Sequence, residues 1–393
     1  MYSREAFFRF SHLYLDTEFN WTDTYHPKLA LLQCLPGKGF SVEKLPQASP
    51  QRMSFEADDG KLDRCMLFDP FHLSGSVFSP LFEDPGIVKI FHACQSDLQV
   101  LQIWSGSAFS NVFDTQLAAC FCDFPYSISL AKLTEALLGV TLPKTETCSD
   151  WMQRPLTEKQ MRYGVQDVAY LDDIVDALFT LSDRYGTTGW MLEEMETFCR
   201  EVGQIEEVTA ETAWRKVHMH FNPRCKKQIL SDPELFHRLY ILAAWREDIA
   251  KENNMPRRRV ASDGFLADSA LRLPAVPVRT SRKNLDPRFS RGFDGAVQRC
   301  RTEKPSEAEQ AIFRQLNETD FKRIAALKEP VKEMMRQLIE QLKPYHIQPQ
   351  VFATRDDLLR LLLDPEDPEN RLNIGWRYRD FGEMVDRIMP AGL

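Results

Sequence analysis

The hydrophobic pattern of this chain changes once, near residue 205, and the change constrains the fold more than any other feature. Before it, short apolar runs rich in β-branched and aromatic residues alternate with stretches of helical period, the pattern of an α/β sheet domain. Candidate strands are residues 8–15, 29–35, 65–68 and 87–92. Candidate helices are 95–104, 114–122, 130–138 and a long one over 157–181, apolar on two sides and so packed against more than one neighbour. After residue 205 strand signals nearly vanish, and 233–251 and 331–342 read as amphipathic helices. Residues 36–60 have the composition of a long surface loop, and residues 274–302, rich in Pro, Gly, Ser and Arg, that of a connection. The expected division is 1–205, 206–300 and 301–393.

A length of 393 residues with 43% hydrophobic side chains suffices for two to three cores. The N-terminal residues lack an export signal and no apolar run approaches the ~18 residues of a membrane span, so a cytoplasmic protein without a membrane partner is expected. Nine cysteines without a C-x-x-C pair read as reduced thiols. Cys120 and Cys122 have no second ligand pair nearby, which argues against zinc. The net charge of −8 hides an asymmetry: residues 1–200 carry 27 acids against 16 bases, residues 201–302 carry 13 against 19, and residues 303–393 carry 17 against 14. An acidic first part beside a basic middle suits a carboxylate metal site with a separate grip on a polyanion, and equally suits ordinary variation between solvated surfaces.

Three segments carry candidate chemistry. The first strand is expected to end in Asp16-Thr17-Glu18, and alternate residues of an extended segment point to one face, so both carboxylates can reach one cation. Asp97 follows another apolar strand in the first turn of a helix, where an acid is also favoured simply as a capping or dipole residue. Tyr163 and Asp167, four apart, share a helix face and can hold one water between them; a buried tyrosine bonded to an aspartate is the plainer alternative. His92 reads as a satisfied core residue.

Together these segments resemble the ribonuclease D family, in the tyrosine-bearing branch of the DEDD exonucleases. YLDTEF around Asp16 and Glu18 is similar to the first exonuclease motif and IFHACQSDLQVL around Asp97 to the second. FDTQLA (113–118), LPK (142–144) and SDWMQRPLTEKQMRYGVQDVAYL (149–171) resemble the stretch leading into and through the third. AAWREDIAKENNMPRRRV (243–260) looks like the centre of an HRDC domain, and IQPQVFATRDDLLRLL (347–362) with Gly375-Trp376-Arg377 like a more divergent second copy. Two departures stand out: only about fifteen residues precede the first motif, and the 36–60 loop is longer than the family's turn.

The resemblance implies a ribonuclease H-like mixed-sheet exonuclease domain followed by two all-helical HRDC-like domains. It implies a 3′–5′ exoribonuclease that uses two divalent cations, Mg²⁺ or Mn²⁺, held by Asp16, Glu18, Asp97 and Asp167, with Tyr163 orienting the attacking water. The implied partner is RNA with a single-stranded 3′ end, such as transfer RNA precursors; no protein partner is expected. Lys226, Lys227, Arg257, Arg258 and Arg259 are candidates for phosphate contacts from the basic middle, although the three arginines can also simply end a helix. A DNA exonuclease on the same fold and a non-catalytic nucleic-acid-binding scaffold remain the alternatives.

Overall fold

The computed structural model of the protein describes residues 3–46, 62–142, 149–202, 208–217, 219, 222–273, 284–318 and 321–390. The chain forms two compact units, one built from Met1–Asn20, Lys28–Ile205 and Lys322–Leu393, the other from Trp21–Pro27 and Glu206–Phe321. No helix of the described residues is long and apolar enough to cross a membrane.

The first unit contains strands β1 (Ser11–Asn20), β2 (Lys28–Pro36), β3 (Met66–Phe68), β4 (Ile87–Phe91) and β5 (Val112–Asp114). They lie in the order β3-β2-β1-β4-β5, antiparallel on the β1–β2–β3 side and parallel on the β1–β4–β5 side, which makes the sheet mixed. Its helices before residue 205 are α1 (Arg4–Phe7), α2 (Ser79–Glu83), α3 (Gln95–Ser105), α4 (Thr115–Ala119), α5 (Leu130–Leu138), α6 (Glu158–Ala169), α7 (Leu171–Tyr185) and α8 (Thr188–Val202). The sheet is covered on both faces. Tyr14, Leu31, Leu35 and Ile90 join Val165, Val168 and Ile174 in one core, while Leu13, Leu15, Leu32, Cys34 and Phe91 meet Leu98 and Leu101 on the other.

Four local expectations need correction. β1 starts later than residue 8 and runs on to Asn20, so Asp16 and Glu18 lie within the strand. It pairs with β4 only over Ser11–Tyr14 but with β2 to its end, with an irregularity between Glu18 and Phe19. The acids therefore occupy the part of β1 that outruns its parallel neighbour. The helix expected over 157–181 is two helices, because Tyr170 leaves helical geometry (φ −106°, ψ 1°); the two apolar sides belong to α6 and α7 separately. β5 was not expected, and Asp114, read as the first residue of the 114–122 helix, is the last residue of this strand. Within the expected 274–302 connection, Ser290–Thr302 is helical; residues 274–283 lie outside the described residues, as do 47–60 of the expected loop and Pro143 and Lys144 of the LPK motif.

The second unit holds α9 (Pro223–Ser231), α10 (Pro233–Glu252), α11 (Arg257–Val260), α12 (Asp263–Arg272), α13 (Ser290–Thr302) and α14 (Glu307–Glu318), around a core that includes Phe236, Leu239, Trp245, Phe265 and Phe293. Glycine and arginine content disguised α13 in the sequence. Gly292 lets it approach Trp245, since a Cβ there would lie 3.0 Å from the indole Nε1, and Phe293 and Ala296 are buried. Trp21–Pro27, the tip of the β1–β2 hairpin, belongs to this unit, where the Tyr25 amide donates to Asn254 Oδ1 (3.2 Å).

Back in the first unit, α15 (Phe321–Leu342), α16 (Pro349–Phe352), α17 (Arg355–Leu363) and α18 (Gly375–Ile388) share the core that holds α7 and α8. A buried carboxylate marks the junction: Glu194 of α8 accepts from Arg371 (2.5 Å), Arg377 (2.8 Å) and the Trp376 indole (3.1 Å).

Candidate active site

Each acidic segment is placed by its own local device. On β1, Tyr14, Asp16 and Glu18 alternate onto the face that packs against α6, and the ladder sets Asp16 opposite Gln33 and Glu18 opposite Leu31. The α6 helix begins with a reciprocal capping box between Thr157 and Gln160. Gln160 is anchored further by Gln153 (2.9 Å) and the Asp150 carbonyl (3.1 Å). The entry to α6 is held by Arg154, which donates to both Asp69 oxygens (2.6 and 2.9 Å) and to the Ala30 carbonyl on β2 (2.6 Å). Tyr163 and Asp167 then lie one turn apart on this fixed helix. Gly164 between them lets α6 lie against β2, because a Cβ there would be 3.1 Å from Gln33 Nε2 and 3.2 Å from Leu31 Cδ2.

Asp97 is placed from β4. The turn after that strand passes through Ala93 in a left-handed conformation (φ 60°), and the Asp114 carboxylate holds it by accepting from the amides of Ala93 (3.0 Å) and Cys94 (2.9 Å). The same carboxylate caps α4 through the amides of Gln116 (2.8 Å) and Leu117 (3.3 Å). One aspartate thus sets the start of α3, and with it Asp97. Thr17, between the two acids of β1, donates its hydroxyl to Asp97. His92 is fully engaged, with Nδ1 at 2.9 Å from Thr115 Oγ1 and Nε2 at 3.0 Å from the Ile128 carbonyl, as expected of a core residue.

One oxygen each of Asp16, Glu18 and Asp167 lies within 4.8 Å of the others, and Asp97 acts on all three electrostatically. Burial, then repulsion from Asp97, Asp167 and Glu18, pushes the Asp16 carboxyl well above the usual carboxylate range. Glu18 is pushed up to about 8 by burial and by Asp167 and Asp97. Asp167 is raised to about 7 by burial and Asp97, and Asp97 to about 6 by burial, tempered by the Thr17 hydrogen bond. The Tyr163 phenol is raised above its ordinary value by burial and then by the charges of Asp167, Glu18 and Asp16, so it stays protonated at neutral pH. No cation of the described residues pairs with these acids. Crowded carboxylates without a positive partner fit a hard divalent cation, which takes oxygen donors and removes the mutual repulsion.

The basic candidates lie in the second unit. Lys226, Lys227 and Arg258 are exposed. Arg257 is committed to Glu247 (Nε at 2.5 Å, Nη2 at 2.7 Å), donates to the Tyr25 hydroxyl (2.9 Å) and covers the Tyr25 ring. Arg259 pairs with Asp23. Sequence reading passed over Thr17, Gln33, Asp69, Asp114, Arg154 and Gly164. Among these only the capping position of Asp114 and the small size of Gly164 left a local signal.

A family model described as a 3′–5′ exonuclease matches residues 8–181. Ribonuclease D of Pseudomonas paraeruginosa is 35% identical over 269 residues, 67% of this chain and 61% of that protein, so the matched stretch spans less than two thirds of it. Ribonuclease D of Nitrobacter hamburgensis is 30% identical over 376 residues, covering 94% of this chain and 87% of that one. The crystal structure of Escherichia coli RNase D, described as an exoribonuclease involved in structured RNA processing, has the same fold, with a TM-score of 0.70 at 24% identity over 98% of this chain and 94% of that one. With its carboxylate cluster on a mixed sheet and its similarity to the Nitrobacter enzyme along nearly the whole length, the chain belongs to the ribonuclease D family of 3′–5′ exoribonucleases.

Proposed function

We propose that this chain shortens RNA from single-stranded 3′ ends in the cytoplasm, releasing 5′-mononucleotides, and that transfer RNA precursors are among its substrates. The observation that carries the reading is the convergence of Asp16, Glu18 and Asp167 oxygens within 4.8 Å, with Asp97 hydrogen-bonded to Thr17 beside them. In this reading Asp16, Glu18, Asp97 and Asp167 hold two divalent cations, Mg²⁺ or Mn²⁺. When bound, such ions activate water and neutralise charge on the phosphoryl and leaving oxygens.

Tyr163 acts as a hydrogen-bond partner that orients the attacking water; burial and neighbouring carboxylates keep its proton in place, so it is no base. Asp167, one turn along α6, fixes the same water from the other side. Thr17 and Asp114 keep Asp97 aimed at the site. Lys226, Lys227 and Arg258 are exposed for phosphate contacts, which give affinity without base readout, whereas Arg257 and Arg259 would have to exchange carboxylate partners to join them. We further propose that 206–300 and 301–393 derive from two HRDC-like modules.

The test is a time course on 5′-labelled and 3′-labelled RNA, with Mg²⁺ or EDTA, alongside Asp16→Ala and a DNA oligonucleotide of matched sequence. Stepwise shortening of the 5′-labelled RNA, immediate loss of the 3′ label as mononucleotide, dependence on metal and loss of at least ~100-fold in Asp16→Ala are expected. Faster degradation of the DNA, or internal cuts, would overturn the reading.

A further inference from the structure

Gln33 is an anomaly in the core of the first unit. It sits in the middle of β2, is fully buried (0% exposed), and neither its amide nitrogen nor its carbonyl oxygen has a hydrogen-bond partner among the described residues. On the same face of the strand its neighbours two positions away, Leu31 and Leu35, are buried and apolar. An aliphatic residue would continue that pattern. Leaving a buried amide unpaired is destabilising, so packing alone gives no reason for a glutamine here.

Its surroundings supply one. The β1–β2 ladder puts Gln33 directly opposite Asp16, and facing residues of an antiparallel pair project their side chains to the same side of the sheet. That side is covered by α6, whose Gly164, flanked by Tyr163 and close to Asp167, meets the Gln33 amide. A side chain able to donate and accept is thus enclosed between the strand bearing two of the acids and the helix bearing the third.

We infer that Gln33 is a positioning residue for the proposed metal site: its amide, unpaired in this structure and directly opposite Asp16, would donate to the Asp16 carboxylate once a cation is bound and hold it in the orientation that keeps the ion. This rests on Asp16 being a metal ligand. Groups that orient metal-binding carboxylates typically change metal affinity by 10–100-fold when removed. Gln33 makes no contact with RNA in this role, so it acts through Asp16.

The test uses the full chain with Gln33→Met and, in parallel, Gln33→Leu, which replace the amide by apolar groups of similar size. Thermal melting in chelator, Mn²⁺ binding by titration calorimetry, and kcat and KM on an RNA oligonucleotide over a range of Mg²⁺ concentrations are compared with the parent. At least one variant is expected to melt at or above the parent in chelator. In that variant the Mn²⁺ dissociation constant and the Mg²⁺ concentration for half-maximal activity rise about tenfold or more, with KM for RNA unchanged at saturating metal. Parental Mn²⁺ affinity in a folded variant overturns the inference, as does unfolding of both variants, which would make Gln33 a purely structural residue. An Asp16→Ala control separates the two ideas: if it retains parental Mn²⁺ affinity, the reading of Asp16 itself has failed.

Discussion

At the scale of single residues, spacing between α6 and β2 governs the site as much as the acids do. Gly164 occupies a helical position where alanine would gain about 1 kcal/mol of helix propensity. A Cβ there would nevertheless press on Gln33 Nε2 and Leu31 Cδ2 at 3.1 and 3.2 Å, so the helix or the amide must give by a few tenths of an ångström. Gly164→Ala is therefore expected to change stability by less than about 1 kcal/mol, the two effects opposing, while single-turnover rates fall roughly tenfold because Tyr163 and Asp167 shift with the helix. Thermal melts and rapid-quench kinetics on the same preparation check both halves. A variant that loses rate only in proportion to its stability would contradict this account. The five residues of the proposed chemistry were legible from their motifs. Gln33 and Thr17 were not, because each looks like an ordinary strand residue until its cross-sheet neighbours are known.

At the scale of elements, the first unit depends on a buried ion cluster between α8 and the C-terminal helices. Glu194 is 4% exposed and answers both Arg371 and Arg377, while Trp376 donates its indole N–H to the same carboxylate. Truncating one member of such a cluster leaves uncompensated charge in the interior, a loss of about 3–5 kcal/mol. Glu194→Ala is expected to lower the unfolding free energy by that order and the denaturation midpoint with it, with exposure of Trp376 seen in fluorescence; an unchanged midpoint would show the cluster to be energetically idle. Sequence reading found α5 with the right ends, since it carries a strong helical period, and α10 within a residue; α10 is not the one-sided amphipathic helix expected, because Ile241–Glu247 are buried without a break and other elements pack round it. It merged α6 with α7 because Tyr170 has no local breaker signal. It missed β5 because three residues are too few to show an alternation.

At the scale of the whole molecule, the acid cluster couples stability to pH and metal. The folded-state carboxyls of Glu18, Asp167 and Asp97 stand at about 8, 7 and 6, above the value of ~4 for an unfolded chain. Protonation therefore favours the folded state: this contribution is full below pH ~4 and is lost as pH rises through the folded values. In EDTA the melting temperature is expected to fall between pH 5 and pH 8.5. Mn²⁺ or Mg²⁺ should flatten the decline, because the cation replaces the protons and binds only the folded form. Differential scanning fluorimetry across that range decides the matter; a flat profile in EDTA would contradict the clustering of the acids.

The sequence by itself determined the fold class and the change from mixed to helical architecture near residue 205, and it singled out the acids and the tyrosine proposed for the site. Those follow from local periodicity and from motifs that survive in short runs of residues. Only the tertiary structure decided that Asp16 and Glu18 sit inside a strand that outruns its neighbour, and that Asp114 sets the start of α3. It also decided that Arg257 and Arg259 answer Glu247 and Asp23, and that a glutamine lies unpaired opposite Asp16. Each of these depends on which side chains meet across distant parts of the chain, and that meeting is set by strand register and helix packing, which local sequence does not encode.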